Sequence, residues 1–400
     1  MKDSDPLESG PPPSSTDAVS AFLAGAGDVA ANDIRRVVKL AGRVLGASSA
    51  RLLIADYALE SLRELGQNEA TGDELAIDGT LIGRAFAEGS VRTSGEAPTV
   101  VWAPLVEGTE RLGVLELEFP TWPAESAAAL DEIVRLLVLI VISRRRYTDE
   151  VLRSRRSQPL SAAAEMQWDL LPPLTCSTGS VSVSGILEPA YSIGGDSFDF
   201  ALNDDCLGFA ITDAVGHGTS AVLLAITAIT NLRNARREGV DLEAAYLKTG
   251  IALERHFGHS AFVTAQLGEL SYERGELTWL NAGHPPPLLV RDRTYVGELV
   301  CPPSLPMGLG GEVRAVVTEQ LQPGDRVLFY TDGVIETRDA DDQPFGLPRL
   351  ADLLVRASLD EVPPAETVRR LSASILDYND ELSDDATLML IEYHGPDGPS

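Results

Sequence analysis

The segment Gly208-Phe-Ala-Ile-Thr-Asp-Ala-Val-Gly-His-Gly-Thr-Ser-Ala-Val-Leu-Leu-Ala-Ile-Thr-Ala-Ile229 combines three patterns in one short stretch. Its apolar start predicts a buried strand that delivers Asp213 at its end. Small residues then let the chain turn closely around whatever Asp213 contacts, and an apolar helix follows from Ala221. A carboxylate between a strand and a glycine-rich turn is typical of functional sites. A plain strand–turn–helix with a capping aspartate has the same pattern.

Three further aspartates stand next to predicted strands. Asp196 follows two glycines, Asp332 follows the apolar stretch 327–330, and Asp384 precedes the final strand. If the sheet brings these four carboxylates together, they repel one another and demand cations, since no Lys or Arg lies within their motifs GGDSFD, TDAVGHG, YTDGVIE and SDDATLML. Two hard divalent ions, held by carboxylates and waters, satisfy this demand. A hydroxide bridging two such ions is a nucleophile for phosphoryl transfer.

The motif Asn281-Ala-Gly-His-Pro-Pro-Pro287 has a predicted structural role. A single histidine before prolines is more often a hydrogen-bonded loop residue than a ligand. A metal-ligand or acid role for His284 is the alternative.

The ordered set GGDSFD, TDAVGHG, NAGHPPP, YTDGVIE and SDDATLML resembles the PPM superfamily of protein phosphatase 2C-like enzymes over about residues 160–393. It is most similar to the branch that contains the sporulation phosphatase SpoIIE and the stress-response phosphatase RsbU. The resemblance implies an α+β fold whose C-terminal part is an αβ-sandwich of two antiparallel sheets flanked by helices. It also implies metal-dependent removal of phosphate from Ser or Thr of a phosphoprotein, with an anti-sigma-factor antagonist as the expected substrate.

The family's metal site carries over to Asp196, Asp213, Ala214, Asp332 and Asp384. The resemblance implies that Asp213 bridges two Mn²⁺ or Mg²⁺ ions and that the Ala214 carbonyl binds one of them. Asp196 would support the site directly or through water, and Asp213 and Asp196 are the expected catalytic residues. The turn reads Asp-Ala-Val-Gly-His-Gly where relatives often have Asp-Val-Ser-Gly-His-Gly, but a carbonyl ligand needs no particular side chain.

The second ion would be held by Asp332 and Asp384 in the same scheme. Asp385 is the neighbouring alternative to Asp384, and the sequence does not choose between them. It does not choose between Mn²⁺ and Mg²⁺ either, because both accept octahedral oxygen sites.

The N-terminal half predicts a separate αβ domain. A helical pattern runs from Asp33 to Leu45, a strand covers 49–56, paired strands cover 100–106 and 112–119, and a long helix covers 124–146. This order resembles a GAF sensor domain, although a module that only dimerises has the same pattern. The predicted boundaries are a disordered tail at 1–18, the GAF-like domain at 19–147, a helical connector at 148–172 and the phosphatase domain at 173–394.

Composition excludes several classes of protein. The net charge of -28 opposes binding to nucleic acid, and three cysteines without paired spacing oppose a disulfide framework or a thiolate zinc site. The chain shows no secretory signal, and the apolar run Leu136–Ile142 is too short to cross a bilayer. A cytoplasmic protein without membrane contact is therefore expected. The arginine-rich stretch 144–156 is predicted to be an exposed helical connector, with a DNA- or membrane-binding patch as the alternative.

Two other functions remain open from the sequence. A non-catalytic scaffold would bind partners without turnover, and a metal phosphohydrolase could act on a small molecule. The regulatory ligand of the N-terminal domain is unknown. A homodimer is expected through that domain and the connector, because an apolar helix face leads into the linking helix.

Overall fold

The computed structural model describes residues 15–66, 73–95, 97–108, 110–122, 126–191, 194–379, 382 and 384–396. The chain divides into two compact units, with the boundary after Ser157. Each unit has its own sheets and helices, and each is described separately below.

The N-terminal unit is a sheet of six strands with helices. The helices are α1 (Ser15–Gly27), α2 (Ile34–Leu45), α3 (Leu81–Glu88), α4 (Ala127–Arg144) and α5 (Glu150–Ser154). The strands are β1 (Ser49–Ala55), β2 (Ser61–Glu64), β3 (Glu74–Ala76), β4 (Arg92–Thr93), β5 (Thr99–Glu107) and β6 (Glu110–Phe119). Their order is β3-β2-β1-β6-β5-β4, with antiparallel pairs such as β1 with β6.

The core of this unit lies where α1, α2 and α4 pack together against the sheet. In α2 the buried residues recur at helical spacing, as in Ile34, Val38 and Leu45, and the Asp33 side chain caps the first turn. Gly46 ends α2 in the left-handed conformation that favours glycine. The helices and strands predicted here are present, while kinship to GAF domains stays a prediction.

The C-terminal unit contains two antiparallel sheets. Their strands are β7 (Thr175–Ser177), β8 (Val181–Glu188), β9 (Asp196–Leu202), β10 (Cys206–Ala214), β11 (Val263–Ser271), β12 (Glu276–Ala282), β13 (Leu288–Arg291), β14 (Thr294–Glu298), β15 (Val317–Gln320), β16 (Arg326–Tyr330) and β17 (Ala386–Tyr393). One sheet has the order β15-β12-β11-β10-β9 and the other β14-β13-β16-β17-β8-β7.

Helices α6 (Ala162–Leu170), α7 (Gly218–Arg237), α8 (Leu242–Phe257), α9 (Asp332–Glu336), α10 (Leu347–Leu359) and α11 (Pro364–Leu376) complete this unit. Helices α7 and α8 pack on the first sheet, and α10 and α11 pack on the second. Between the sheets the rings of Phe209 and Phe329 lie 4.8 Å apart. Strands β16 and β8 are buried throughout, because each has a sheet neighbour on both sides and both of its faces are covered. The expected antiparallel sheets and flanking helices are therefore present.

Three expectations about local structure were wrong. Residues 15–18, predicted to be disordered, form the first turn of α1, while residues 1–14 lie outside the described part. Helix α7 begins at Gly218 rather than Ala221. The arginine-rich stretch is no exposed helix, because Arg144 donates to the carbonyls of Ala26 and Ala30 and α5 is a separate short helix.

Within the described residues, no helix is both long and apolar enough to cross a membrane.

Candidate metal centre

The predicted catalytic turn lies between β10 and α7. Asp213 and Ala214 are the last residues of β10, and the chain then reverses through Gly216 and Gly218, whose φ angles are +99° and +67°. Those positive values are readily reached only by glycine, which explains the Gly-His-Gly sequence. His217 between them is exposed.

Asp196 lies directly opposite Asp213. The two are cross-strand partners in the antiparallel pair of β9 and β10, so both carboxylates project from the same face of the sheet. Asp196 is 2% exposed, and Thr331 Oγ1 donates to its Oδ2 at 2.6 Å. Thr331 also accepts from the main chain of Thr387 at 2.9 Å, so the second sheet fixes the Asp196 carboxylate. Sequence reasoning missed Thr331, whose role depends on this contact between sheets.

Asp332 starts α9 immediately after β16, and Asp384 and Asp385 precede β17. Strands β16 and β17 are neighbours, so these aspartates meet at one end of the second sheet. Asp385 is buried and its Oδ2 accepts from the main-chain nitrogen of Asp196 at 3.2 Å. Asp384 is exposed, and its Oδ1 accepts from the main-chain nitrogen of Asp385 at 2.9 Å.

Three glycines make this close approach geometrically feasible. A Cβ atom on Gly195 would lie 2.1 Å from the Ala214 carbonyl oxygen, and one on Gly333 would lie 1.9 Å from the Asp385 carbonyl. A Cβ on Gly194 would lie 2.5 Å from the Asp385 carboxylate. The glycines of GGDSFD and YTDGVIE therefore serve the packing around the aspartates rather than turn formation alone.

The aspartates influence one another electrostatically. Burial, followed by the charges of Asp332, Asp384 and Asp385, raises the pKa of Asp213 to about 7. Burial, followed by the charges of Asp213 and Asp385, raises the pKa of Asp196 well above its usual range. Burial is also the main cause that raises the pKa of Asp385 to about 6. Among the described residues no Lys or Arg offsets these three shifts, so the carboxylates lack a protein counter-ion.

This donor set suits hard divalent cations, because carboxylate oxygens that repel one another without a counter-ion are the ligands Mg²⁺ and Mn²⁺ prefer. Asp332 belongs to the same group, since burial and then the Asp384 charge raise its pKa. Yet in the described part of the chain, no three His, Cys, Asp or Glu side chains are placed tightly enough to enclose an ion. The individual ligand assignments therefore stay predictions.

His284 is a buried, hydrogen-bonded loop residue, as predicted. The side chain of Asn281 brackets its main chain, accepting from the His284 nitrogen at 2.8 Å and donating to the His284 oxygen at 2.9 Å. Its ring lies against Thr264, with Nδ1 2.8 Å from Oγ1. Burial lowers the pKa of His284 to about 3, so the ring is neutral.

A second network links α7 to the strand that carries Asp196. Asp199 is buried on β9 and accepts from Arg233 Nε and Arg236, each at 2.8 Å. Arg233 also donates to the Leu170 carbonyl at the end of α6, at 2.6 Å. Gln167 of α6 donates to the main-chain oxygen of Asp196. The last aspartate of GGDSFD thus has a role in helix attachment that sequence reasoning did not assign.

Comparison with known proteins assigns the C-terminal domain to a family. Residues 203–394 match the family model of stage II sporulation protein E, SpoIIE. These residues form a SpoIIE-family domain. The matched range contains Asp213, Asp332 and Asp384, whereas Asp196 lies just before it. The SpoIIE-type domain is a phosphatase of the PP2C type, and the chain is therefore an enzyme.

Curated relatives are similar at modest identity. The chain is 21% identical to phosphoserine phosphatase RsbU of Bacillus subtilis strain 168, over 70% of this chain and 83% of RsbU. It is 25% identical to protein IcfG of Synechocystis sp., over 49% of this chain but only 35% of IcfG.

Two solved structures are similar to a little more than half of the chain. The RsbU and RsbW domains of Rv1364c from Mycobacterium tuberculosis are 28% identical with a TM-score of 0.47, covering 54% of this chain and 62% of that one. The SiaA-PP2C domain of Pseudomonas aeruginosa is 21% identical with a TM-score of 0.49, covering 57% of this chain and 94% of that one.

Proposed function

We propose that this chain is a metal-dependent serine/threonine protein phosphatase whose site is formed by Asp196, Asp213, Ala214, Asp332 and Asp384. One observation carries the proposal: burial and then the charges of Asp332 and Asp384, which lie at the end of the second sheet, raise the pKa of Asp213 on the first. Repulsion of this kind across two sheets makes a site that cations complete.

In this site, two Mn²⁺ or Mg²⁺ ions would supply Lewis acidity and an activated water for attack on the phosphoryl group. Asp213 would contact both ions, with the Ala214 carbonyl on one side and Asp332 and Asp384 on the other. Asp384 is favoured over Asp385, because Asp385 is buried and accepts from the Asp196 main chain. Asp196 is held by Thr331 and would support the site directly or through water.

The substrate we propose is a phosphorylated anti-sigma-factor antagonist, as resemblance to RsbU and SpoIIE suggests. The N-terminal unit would regulate activity by binding a ligand or protein partner. We further propose a homodimer through this unit and the segment that follows it, to which the exposed Leu139 of α4 would contribute an apolar contact. A monomeric mass in light scattering at micromolar concentration would exclude the dimer.

The test is hydrolysis of p-nitrophenyl phosphate and of a phosphoserine peptide by the full chain. Activity is expected with Mn²⁺, and it is expected to vanish with chelator and in Asp213→Asn. The exposed Asp204→Asn, which lies on the β9–β10 loop, is the matched control and is expected to keep full activity. Turnover that persists in chelator, or in Asp213→Asn with Mn²⁺, would refute the site. A faster rate on nucleotides than on the phosphopeptide would refute the protein substrate.

A further inference from the structure

The ring of His284 lies between the two sheets of the C-terminal unit. On one side, Nδ1 is 2.8 Å from Thr264 Oγ1. On the other side lies the main chain of Tyr330, which partly opposes the lowering of the ring's pKa by burial. Nε2 itself makes no hydrogen bond within the described part of the chain. Thr264 belongs to β11 of the first sheet and Tyr330 ends β16 of the second.

Both neighbours of the ring adjoin aspartates of the proposed metal site. Thr264 is the direct cross-strand partner of Asp213, so the two side chains share a face of the sheet. Tyr330 is separated from Asp332 by Thr331 alone. The imidazole therefore adjoins one neighbour of Asp213 in the first sheet and one near neighbour of Asp332 in the second.

The backbone that carries His284 is tightly held. Asn281 hydrogen-bonds to both the nitrogen and the oxygen of His284, and Gln266 donates to the Pro285 carbonyl at 2.8 Å. Gly283 also forms a bridge to Ala265 of β11. These contacts on each side of the histidine hold its backbone against β11 and β12 of the first sheet. The buried hydrogen bond between Nδ1 and Thr264 is suited to fix the positions of both residues.

We propose that His284 is a positioning residue of the metal centre, which together with Thr264 fixes the separation between Asp213 on one sheet and Asp332 on the other. The proposal rests on the metal site given under the proposed function. A neutral ring adds no charge to the carboxylate group and contributes one donor and one acceptor nitrogen. Loss of an outer contact that orients metal ligands typically lowers metal affinity by about 10–100-fold.

Four variants of the full chain test this role. Thr264→Val removes the hydroxyl at nearly constant shape, His284→Leu removes the ring nitrogens, and His284→Asn restores a hydrogen-bonding group near Nδ1. Tyr246→Phe is the matched control, because it removes a 2.8 Å hydrogen bond to the Leu305 carbonyl, which lies outside the four aspartate motifs. Free Mn²⁺ is measured by electron paramagnetic resonance, which reports binding without requiring turnover.

Thr264→Val and His284→Leu are expected to weaken Mn²⁺ binding at least tenfold, His284→Asn to recover part of that loss, and Tyr246→Phe to stay within twofold. A double variant that combines Thr264→Val with His284→Leu is expected to lose no more Mn²⁺ affinity than either single variant, since both substitutions remove the same contact. At saturating Mn²⁺, KM for p-nitrophenyl phosphate is expected to be unchanged.

Wild-type affinity in Thr264→Val would overturn the proposal, and this variant keeps the test decisive if His284→Leu does not fold. An equal loss in Tyr246→Phe would reduce the effect to general destabilisation and would overturn it as well. A wild-type chain that binds Mn²⁺ but hydrolyses no phosphoester would refute the proposed function, while the variant affinities would still decide the positioning role.

Discussion

Replacing Asp213 with Asn is expected to stabilise the metal-free protein while it abolishes activity. Burial and, after it, the neighbouring carboxylates raise the pKa of Asp213 from 3.8 to about 7, which means that folding disfavours the ionised form. At pH 8 the group is ionised in both the folded and the unfolded chain, so the folded state carries the full penalty. An amide of the same shape removes the charge and with it the repulsion.

The size of the gain follows from the shift. A shift of about three pKa units at 1.36 kcal/mol per unit corresponds to about 4 kcal/mol. This figure is an upper limit, because the repulsion is shared among several carboxylates, and about 2–4 kcal/mol is expected. For a unit of this size each kcal/mol moves Tm by roughly 2–4 °C, so Tm is expected to rise by about 4–16 °C.

The gain in the free energy of unfolding depends on pH. A raised carboxyl pKa destabilises the fold increasingly as pH rises from the unfolded value towards the folded one, and it costs little below both values. At pH 5 Asp213 is mostly protonated in the folded chain, and the gain is expected to fall below half of its value at pH 8, to about 1.5 kcal/mol.

Urea denaturation in chelator at pH 8 and pH 5 measures the free energy of unfolding of the wild type and of Asp213→Asn. The exposed Asp204→Asn is the control, and its free energy of unfolding should equal that of the wild type at both pH values. Added Mn²⁺ should stabilise the wild type and leave Asp213→Asn unchanged. If Asp213→Asn is less stable than the wild type in chelator at pH 8, or gains equally at both pH values, then the carboxylates do not repel as described.

Three further predictions concern the same site. Mn²⁺ affinity, measured by titration calorimetry between pH 5.5 and 8, is expected to rise with pH as Asp213 and Asp385 lose protons near pH 7 and pH 6, and a flat profile would contradict these values. Gly195→Ala is expected to abolish Mn²⁺-dependent hydrolysis, because its Cβ would lie 2.1 Å from the Ala214 carbonyl oxygen, and a fully active variant would show that this approach is not required. Asp199→Asn is expected to lower the free energy of unfolding, measured with urea, by about 3 kcal/mol, because Arg233 and Arg236 lose their ion pairs. Breaking the exposed ion pair of Lys248 with Glu238 is expected to lower it by under about 1 kcal/mol.

The sequence predicts those parts of the fold in which one local pattern contains the whole signal. Val327–Tyr330 is an unbroken apolar run, which indicates a buried strand, and Asp332 follows it after one residue. Both the strand and the aspartate's place near its end can therefore be inferred. The same reasoning places Asp213 at the end of β10, whereas Asp196 begins β9, a strand that was not predicted. Helix α7 was predicted from its apolar residues but begins three positions earlier, because two glycines with positive φ start the turn that leads into it.

What the sequence cannot supply is contact between distant segments. Thr331 holds Asp196 across 135 positions of the chain, and Arg233 reaches Asp199 across 34. The choice between Asp384 and Asp385 likewise depends on which of them meets the Asp196 main chain. These relations depend on strand order and on the packing of one sheet against the other, and no short motif contains either.

The mutual repulsion of the aspartates also has a consequence for the amount of protein present in a cell. Bound ions would neutralise the repelling carboxylates and stabilise the folded chain. The folded fraction would therefore follow the supply of divalent metal. Quality-control proteases remove unfolded chains continuously, and a change of 1–2 kcal/mol alters abundance several-fold. Metal starvation would then lower the number of phosphatase molecules as well as the activity of each, and recovery would require new synthesis rather than rebinding alone.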